Sequence, residues 1–435
     1  MAMYRRFVFL CMIAAGLSAQ ENPTELLRRL QAKVASSLDH LPRYMCTETV
    51  DRKVYEPDVY NAGTSCDESP RKGPKIHLTT SDRLRLDVGI ASTMEMYSWV
   101  GEGRFSNRDL FYLVDEGAIS NGTYGAFLSA IFQGEDANFT YEGESTEHGR
   151  TIAELGFSVP HEKSHYLYGK DEHRIVTGYD GTFAVDVQTS DLVRLTVRTS
   201  GLPPETSACY ASTDLTYARV RLQGFDFLLP SEARLKILHT DGAISENRTA
   251  FSNCHEFLGE AKLSFDQAEA GAPHSATVPS LEIPPGLPFR VALTESIDPA
   301  TAATGDPIKA KLITPIESSG KVLVPKGAAV SVRIVRIRHY YKGSEAYVAM
   351  DITVESVRVA GTPVDLHAAP EQPAGFSKGP NGALVKRIDM GTLRVMEKHA
   401  ASFVFHDARR PGKIPSGLES KWVTVALDPS PVPGK

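Results

Sequence analysis

The sequence predicts a mainly β protein of the α+β class: an antiparallel half-barrel with two helices, followed by a small β-barrel or sandwich domain. Apolar and polar residues alternate in short runs through most of the 435 residues, as half-buried strands require. Helical spacing of apolar residues occurs in only two stretches. The composition, 42% hydrophobic and 23% charged, is that of a globular protein, and the length suits two or three folding units.

Residues 1–19 have the pattern of a cleaved export signal. Arg5 and Arg6 precede a short apolar run, and Ala19 ends a group of small residues suited to cleavage. The apolar run is too short to span a bilayer, and no other run approaches the required length. We therefore expect a periplasmic or extracellular protein with no transmembrane segment in the mature chain.

Four cysteines follow the signal, at Cys46, Cys66, Cys209 and Cys254. An even number in an exported chain predicts two disulfide bonds. Three connectivities are open, and we favour Cys46–Cys66 with Cys209–Cys254 because each pair closes the shorter loop. A zinc site is the alternative, but no two of these cysteines have the close spacing that zinc sites use.

Charge and composition divide the mature chain into two domains. Residues 20–285 carry 25 basic and 39 acidic side chains, whereas residues 286–435 carry 20 basic and 14 acidic ones. A Pro- and Ala-rich linker is predicted over 267–285, between a first domain at 20–266 and a second at 286–435. The whole chain has a net charge of −6 and no dominant basic field, so nucleic acid is not an expected partner.

The first domain begins with a helix. Asn22 is a suitable N-cap, Pro23 suits the first helical position, and Pro42 ends the helix. The pattern then changes to the alternation of strands, as in residues 83–88, and one further helix over 124–132 interrupts it.

The second domain shows only strand patterns. Residues 287–293 and 308–312 alternate, and Pro-Lys-Gly at 325–327 predicts a turn between two further strands. Closure into a barrel or sandwich would leave few open sheet edges.

Residues 22–266 resemble the LolA group of lipoprotein carriers. The resemblance lies in GYDGTFAVDVQTSDLVRLTV (178–197) and GFDFLLPSEARLKI (224–237), which share the order and alternation of that group. It implies an open half-barrel whose concave apolar face takes acyl chains. As a whole, the chain also resembles exported bacterial proteins that share the start CTET (46–49) and have no assigned activity.

Residues 303–337 are similar to the TrbI family of conjugation proteins. The shared features are Gly305-Asp306 before a strand and Pro325-Lys326-Gly327 before the next. The resemblance implies a β-barrel domain.

One segment matches a catalytic motif. His161-Glu162-Lys163-Ser164-His165 has the H-E-x-x-H spacing of zinc proteases, in which both histidines share one face of a helix. Pro160 and the alternating residues around the motif instead predict two strands joined by a polar turn. We predict no metal site and no cofactor, and zinc at His161 and His165 is the minor alternative.

Apolar and aromatic side chains are concentrated between residues 94 and 141. Packing between sheet and helices is the ordinary role of such residues. A half-barrel also has a concave face to cover, so some are candidates to line a ligand cavity. The candidates are Met94, Met96, Tyr97, Trp99, Phe111, Phe127 and Phe132.

A basic and aromatic stretch lies in the second domain at residues 333–342. It predicts either a solvated strand edge or a surface that meets an anionic partner.

These observations favour a non-enzymatic envelope protein that binds or carries an apolar ligand, such as a lipid or a lipoprotein acyl chain. The expected partners are therefore lipid or lipoprotein and an envelope protein. A structural or adaptor protein of the envelope, with its concave face filled, is the alternative. A zinc-dependent hydrolase at the 161–165 segment ranks third.

Overall fold

A computed structural model describes the main part of the chain. The described residues are 22–58, 66, 75–91, 94–102, 105, 110–114, 116–121, 124–169, 174–222, 224–256, 283–371, 400–407 and 412–426. The predicted export signal and most of the predicted linker lie outside them. Within these residues, no helix combines the length and the apolar character needed to cross a membrane.

Helix α1 spans Pro23–His40 and confirms the first predicted helix. Asn22 accepts a hydrogen bond from the Thr24 backbone N–H at 3.0 Å, as an N-cap does. The buried face carries Leu26, Leu30, Val34 and Leu38. A second helix begins as α3 (Ala126–Leu128) and continues as a π-helical turn over Ser129–Gln133, which confirms the second predicted helix. A short helix α2 (Leu110–Leu113) was not predicted.

The N-terminal half is built of twelve described strands. They are β1 (Tyr44–Pro57), β2 (Ile76–Ala91), β3 (Met94–Trp99), β4 (Asn138–Glu147), β5 (Arg150–Val159), β6 (Leu167–Tyr168), β7 (Ile175–Val176), β8 (Tyr179–Asp186), β9 (Leu192–Ser200), β10 (Ala208–Leu222), β11 (Phe225–His239) and β12 (Ile244–Glu256).

Ten of these strands form one antiparallel layer. Its order is β3-β2-β1-β12-β11-β10-β9-β8-β5-β4, while β6 and β7 form a separate small hairpin. Helix α1 and the helical segment 126–133 pack on β5, β8, β9 and β10 in one apolar cluster. This is the predicted mainly β half-barrel, with its helices on the covered face.

The C-terminal half contributes ten more described strands. They are β13 (Pro288–Leu293), β14 (Pro307–Leu312), β15 (Ile316–Ser318), β16 (Lys321–Val324), β17 (Ala329–Lys342), β18 (Glu345–Val359), β19 (Thr362–Asp365), β20 (Ala368–Pro370), β21 (Ala401–Asp407) and β22 (Glu419–Thr424). The sheet β20-β22-β13-β14-β17-β18 is antiparallel and encloses one core that includes the fully buried Trp422. Among the described residues the pairings do not close into a barrel, so of the two predicted forms of this domain, barrel or sandwich, the barrel is wrong.

The two halves join through backbone pairing. Residues 338–340 of β17 pair antiparallel with residues 80–82 of β2. On the neighbouring turn, the Arg85 N–H donates to the Thr304 carbonyl and the Thr304 N–H donates to the Arg83 carbonyl, each at 2.8 Å. The predicted domains thus share one continuous sheet.

Gly305 lies where the two halves pack against each other. It has φ = +101°, and a Cβ at this position would lie 2.3 Å from the Arg85 carbonyl oxygen and 2.6 Å from the Trp99 ring. Only glycine satisfies both the backbone conformation and the contact.

The disulfide bonds join Cys46 to Cys254 and Cys66 to Cys209, so the predicted pairing of Cys46 with Cys66 and Cys209 with Cys254 is wrong. Strand β1 lies beside β12, which places the Cα atoms of Cys46 and Cys254 4.1 Å apart although 208 residues separate them in sequence. For Cys46 and Cys254, the pairing of strands that are distant in sequence, rather than loop length, selects the partner.

Peptide mapping of the unreduced protein is the test of this connectivity. We expect one cross-linked peptide pair to contain Cys46 with Cys254 and another to contain Cys66 with Cys209. A peptide that joins Cys46 to Cys66 would contradict the observed strand order.

Candidate ligand-binding site

An open cavity of about 450 Å³ lies between the helical segment 126–133 and the ends of β5 and β8. Its volume falls in the roughly 300–1,000 Å³ range of small-molecule sites. Most of its lining surface is apolar. The apolar residues that line it include Ala126, Phe127, Ala130, Val159, Tyr166 and Tyr179.

Three aromatic side chains form one wall of the cavity. The ring of Phe127 stacks on that of Tyr166 with centroids 5.8 Å apart, and Tyr166 lies 5.5 Å from Tyr179. Burial raises the pKa of Tyr166 to about 12, so its phenol stays neutral at physiological pH. Ala126 and Ala130 also line the cavity, one helical turn apart, and their small side chains leave the space open.

A short 3₁₀ helix, His161–Lys163, brings the Lys163 side chain to the cavity rim. Ser164 behind it is buried. Its hydroxyl donates to the Thr177 carbonyl at 2.6 Å and accepts from the Tyr166 N–H at 3.0 Å. These bonds fix the turn against the strand that leads to Tyr179.

Among the described residues that line it, the rim of the cavity carries more positive than negative charge. Lys163 Nζ lies 3.6 Å from Asp136 Oδ1, and both side chains are about half exposed. The Arg174 guanidinium lies 5.4 Å from the centroid of the Phe111 ring, a cation–π geometry that holds it at the opening. His165 completes the polar rim.

The predicted lining residues lie in different parts of the structure. Phe111 and Phe127 line the cavity. Phe132 is buried beneath it, 5.0 Å from the ring of Phe183. Tyr97 and Trp99 pack in a separate cluster under β1 and β2.

The two predicted methionines also lie away from the cavity. Met94 is 58% exposed at the start of β3, and Met96 is partly buried in the same strand. Of the seven predicted residues, the cavity therefore brings together two. Sequence reasoning missed Tyr166 and Tyr179, which follow the H-E-x-x-H segment and were given no binding role.

The H-E-x-x-H segment does not form the helix that a zinc protease needs. Residues 161–163 make a single 3₁₀ turn after β5, as the predicted polar turn requires, and both His161 and His165 are exposed. Within the part of the chain that the structure describes, no three His, Cys, Asp or Glu side chains are grouped so as to hold a metal ion.

A larger groove of about 970 Å³ lies between the two halves, and its character is different. Charged side chains dominate it and pair with one another. Arg83 Nε lies 2.6 Å from Asp51 Oδ1, and Arg52 Nη2 lies 2.7 Å from Asp82 Oδ2. Such a surface is solvated and internally compensated, so it gives less reason to infer a ligand than the apolar cavity.

The basic and aromatic stretch 333–342 lies largely inside the interface between the halves, not at a solvated strand edge. Arg333 is 4% exposed, pairs with Glu355, and donates to the carbonyls of Val100 and Gly305 at 2.9 and 2.6 Å. Arg333 and Arg338 therefore join the halves, and β17 is paired on both sides, so the predicted solvated strand edge is wrong.

Comparisons with known proteins return distant structures only. No family model matches the chain, and no curated protein sequence matches it. A DUF1329 family protein from Desulfovibrio piger is 11% identical with a TM-score of 0.28, and covers 57% of this chain and 98% of its own. A domain provisionally assigned as an outer membrane lipoprotein-sorting protein, from Vibrio parahaemolyticus, is 10% identical with a TM-score of 0.27, covering 55% and 94%.

A third similar structure is the lipoprotein LppX from Mycobacterium tuberculosis. It is 8% identical with a TM-score of 0.20, and covers 55% of this chain and 99% of its own. TM-scores at this level do not establish a shared function.

Proposed function

We propose that this chain is a non-enzymatic protein of the bacterial envelope that binds one apolar or amphiphilic ligand in the cavity beside residues 126–133. The observation that carries the proposal is the cavity itself: about 450 Å³, open, and walled by stacked aromatic rings and two alanines. Burying an aliphatic chain there would remove apolar surface from water on both ligand and protein, which is the main driving force for such binding.

The resemblance of residues 22–266 to lipoprotein carriers implies an acyl chain as the ligand class, and the cavity offers a place for one. Envelope localisation rests on the predicted export signal and is supported by two disulfide bonds, which persist in oxidising compartments. A ligand carrier that is exported to the periplasm or beyond is consistent with both features.

The proposed binding site is tested by filling the cavity with a larger side chain. Ala130 is exposed to the cavity from the helical segment, so Ala130→Trp would place an indole where the ligand is expected. We expect the affinity for a fluorescent aliphatic probe to fall roughly tenfold or more, because the indole and the probe compete for one volume. Fluorescence titration measures the dissociation constant.

A matched control separates this effect from general disturbance. Ala218 is an exposed residue of β10 away from the cavity, and Ala218→Trp should leave probe affinity unchanged. Equal affinities in the wild type and in both variants would refute the cavity as the binding site. Absence of probe binding in the wild type would favour the structural or adaptor role.

A further inference from the structure

The rim of the cavity offers cationic groups to one end of a ligand whose other end is apolar. Lys163 and Arg174 both border the opening, while the interior behind them is formed by Phe127, Tyr166 and Tyr179. A ligand that enters tail first would leave its head beside the ammonium and guanidinium groups. The arrangement therefore distinguishes ligands by the charge of the head as well as by the tail.

We propose that the ligand is a single-chain amphiphile with an anionic head, a carboxylate or a phosphate, which Lys163 and Arg174 bind at the rim. This inference rests on the proposed function. A volume of about 450 Å³ lies near the low end of the roughly 300–1,000 Å³ range of small-molecule sites, which favours one chain over two. Charge-assisted hydrogen bonds from both cations would hold the anionic oxygens.

The local geometry prepares both cations for this role. Arg174 is held over the ring of Phe111, so its guanidinium stays beside the opening without a ligand. Lys163 projects from a turn that the buried Ser164 fixes. The Asp136 carboxylate lies 3.6 Å from Lys163 Nζ, so it competes with an anionic head for contact with Lys163.

Asp136 gives the proposal a second and opposite prediction. Its carboxylate competes with an anionic head for Lys163 and repels that head. Its removal should therefore strengthen binding of an anionic amphiphile, whereas loss of the cations should weaken it. A role that was merely structural would not change affinity in opposite directions.

The experiment compares four probes by isothermal titration with the full chain: palmitate, 1-palmitoyl lysophosphatidate, hexadecanol, and inorganic phosphate without a chain. We expect Lys163→Gln with Arg174→Gln to weaken palmitate and lysophosphatidate roughly tenfold to a hundredfold. Asp136→Asn should tighten both roughly twofold to fivefold. Hexadecanol should bind all variants alike, and phosphate alone should not bind detectably.

Neutralising two exposed lysines of the C-terminal half, Lys321→Gln with Lys326→Gln, is the matched control and should change no affinity. A larger effect on palmitate than on lysophosphatidate would assign a carboxylate head, and the reverse would assign a phosphate. Hexadecanol binding as tightly as palmitate would overturn the anionic head but leave the proposed function standing. Failure of every chain to bind would refute the proposed function itself.

Discussion

Replacing Asp82 with alanine is expected to lower the free energy of unfolding by about 3–5 kcal/mol, as breaking a buried ion pair does. The Asp82 side chain is 8% exposed and lies between two arginines. Its oxygens accept from Arg52 at 2.7 Å twice and from Arg338 at 2.9 and 3.1 Å. Arg338 belongs to the C-terminal half, so the variant would leave two buried cations without this partner at the junction.

The pKa of Asp82 is shifted in the direction that this network implies. Burial alone would raise it, but the guanidiniums of Arg52 and Arg338 outweigh burial and lower the pKa below the usual 3.8. The carboxylate therefore contributes stability at all pH values above the unfolded-state pKa, and that contribution is lost as the pH falls through the lower folded-state pKa.

Urea titration at neutral pH measures the effect, and a neighbouring pair supplies the control. Asp51 pairs with Arg83 at 2.6 Å, but its side chain is 41% exposed. Asp51→Ala should therefore cost only about 0–1 kcal/mol, as exposed pairs do. If Asp82→Ala is no more destabilising than Asp51→Ala, the buried network does not hold the halves together.

The features of the fold that could be predicted from sequence are those set by local pattern. Helix α1 follows from an N-cap, a proline and apolar residues at helical spacing, and each of these signals acts within a few residues. The alternation at residues 83–88 likewise identifies part of β2. Pairing across the junction could not be predicted. Residues 80–82 pair with residues 338–340, but neither segment contains a local sequence signal that identifies its partner strand.

The candidate site, too, could be predicted from sequence only as far as local patterns allow. Phe127 could be placed on an apolar helical face, but the cavity depends on its distance to Tyr166, which lies in another element. Aromatic residues in the core and in a cavity wall have the same sequence pattern, so Tyr97 and Phe127 could not be separated. The stretch 333–342 was misassigned for a related reason: a charge pattern does not show whether acidic partners from another strand will bury it.

Glu48→Gln is expected to stabilise the protein by a few kcal/mol at pH 9 and to change little at pH 4. Glu48 lies on the inner face of β1 and is 2% exposed, and its Oε2 atom has no hydrogen-bond partner among the described residues. Burial, with a smaller contribution from Glu95, raises its pKa from 4.5 to about 8. Each pKa unit corresponds to about 1.4 kcal/mol of differential stabilisation.

The surroundings of Glu48 explain why the ionised form is unfavourable. Glu95, whose charge also raises the pKa of Glu48, accepts from the Tyr97 hydroxyl at 2.6 Å and from the Tyr124 N–H at 2.9 Å. Those donors are therefore engaged by Glu95, and the hydroxyl of Tyr124 itself has no partner in the described structure. A buried carboxylate with an oxygen that lacks a donor is costly, whereas a protonated carboxyl or a neutral amide is tolerated.

The sign of the pH dependence follows from the raised pKa. Well below pH 4.5, Glu48 is protonated in both the folded and the unfolded state, so its full contribution to the free energy of unfolding is present. Between pH 4.5 and about 8 the folded state binds more protons than the unfolded state, and stability falls as the pH rises. The amide of the Gln variant cannot ionise, so the variant does not show this part of the decrease in stability with pH.

Chemical denaturation from pH 4 to pH 9 measures the difference between the two proteins. We expect the curves to coincide at low pH and to separate progressively up to pH 8, with the variant more stable. Glu144→Gln, an exposed carboxylate of β4, should follow the wild type throughout. Parallel curves for Glu48→Gln and the wild type would show that Glu48 is ionised in the folded protein at neutral pH, with a counter-charge that the described contacts do not contain.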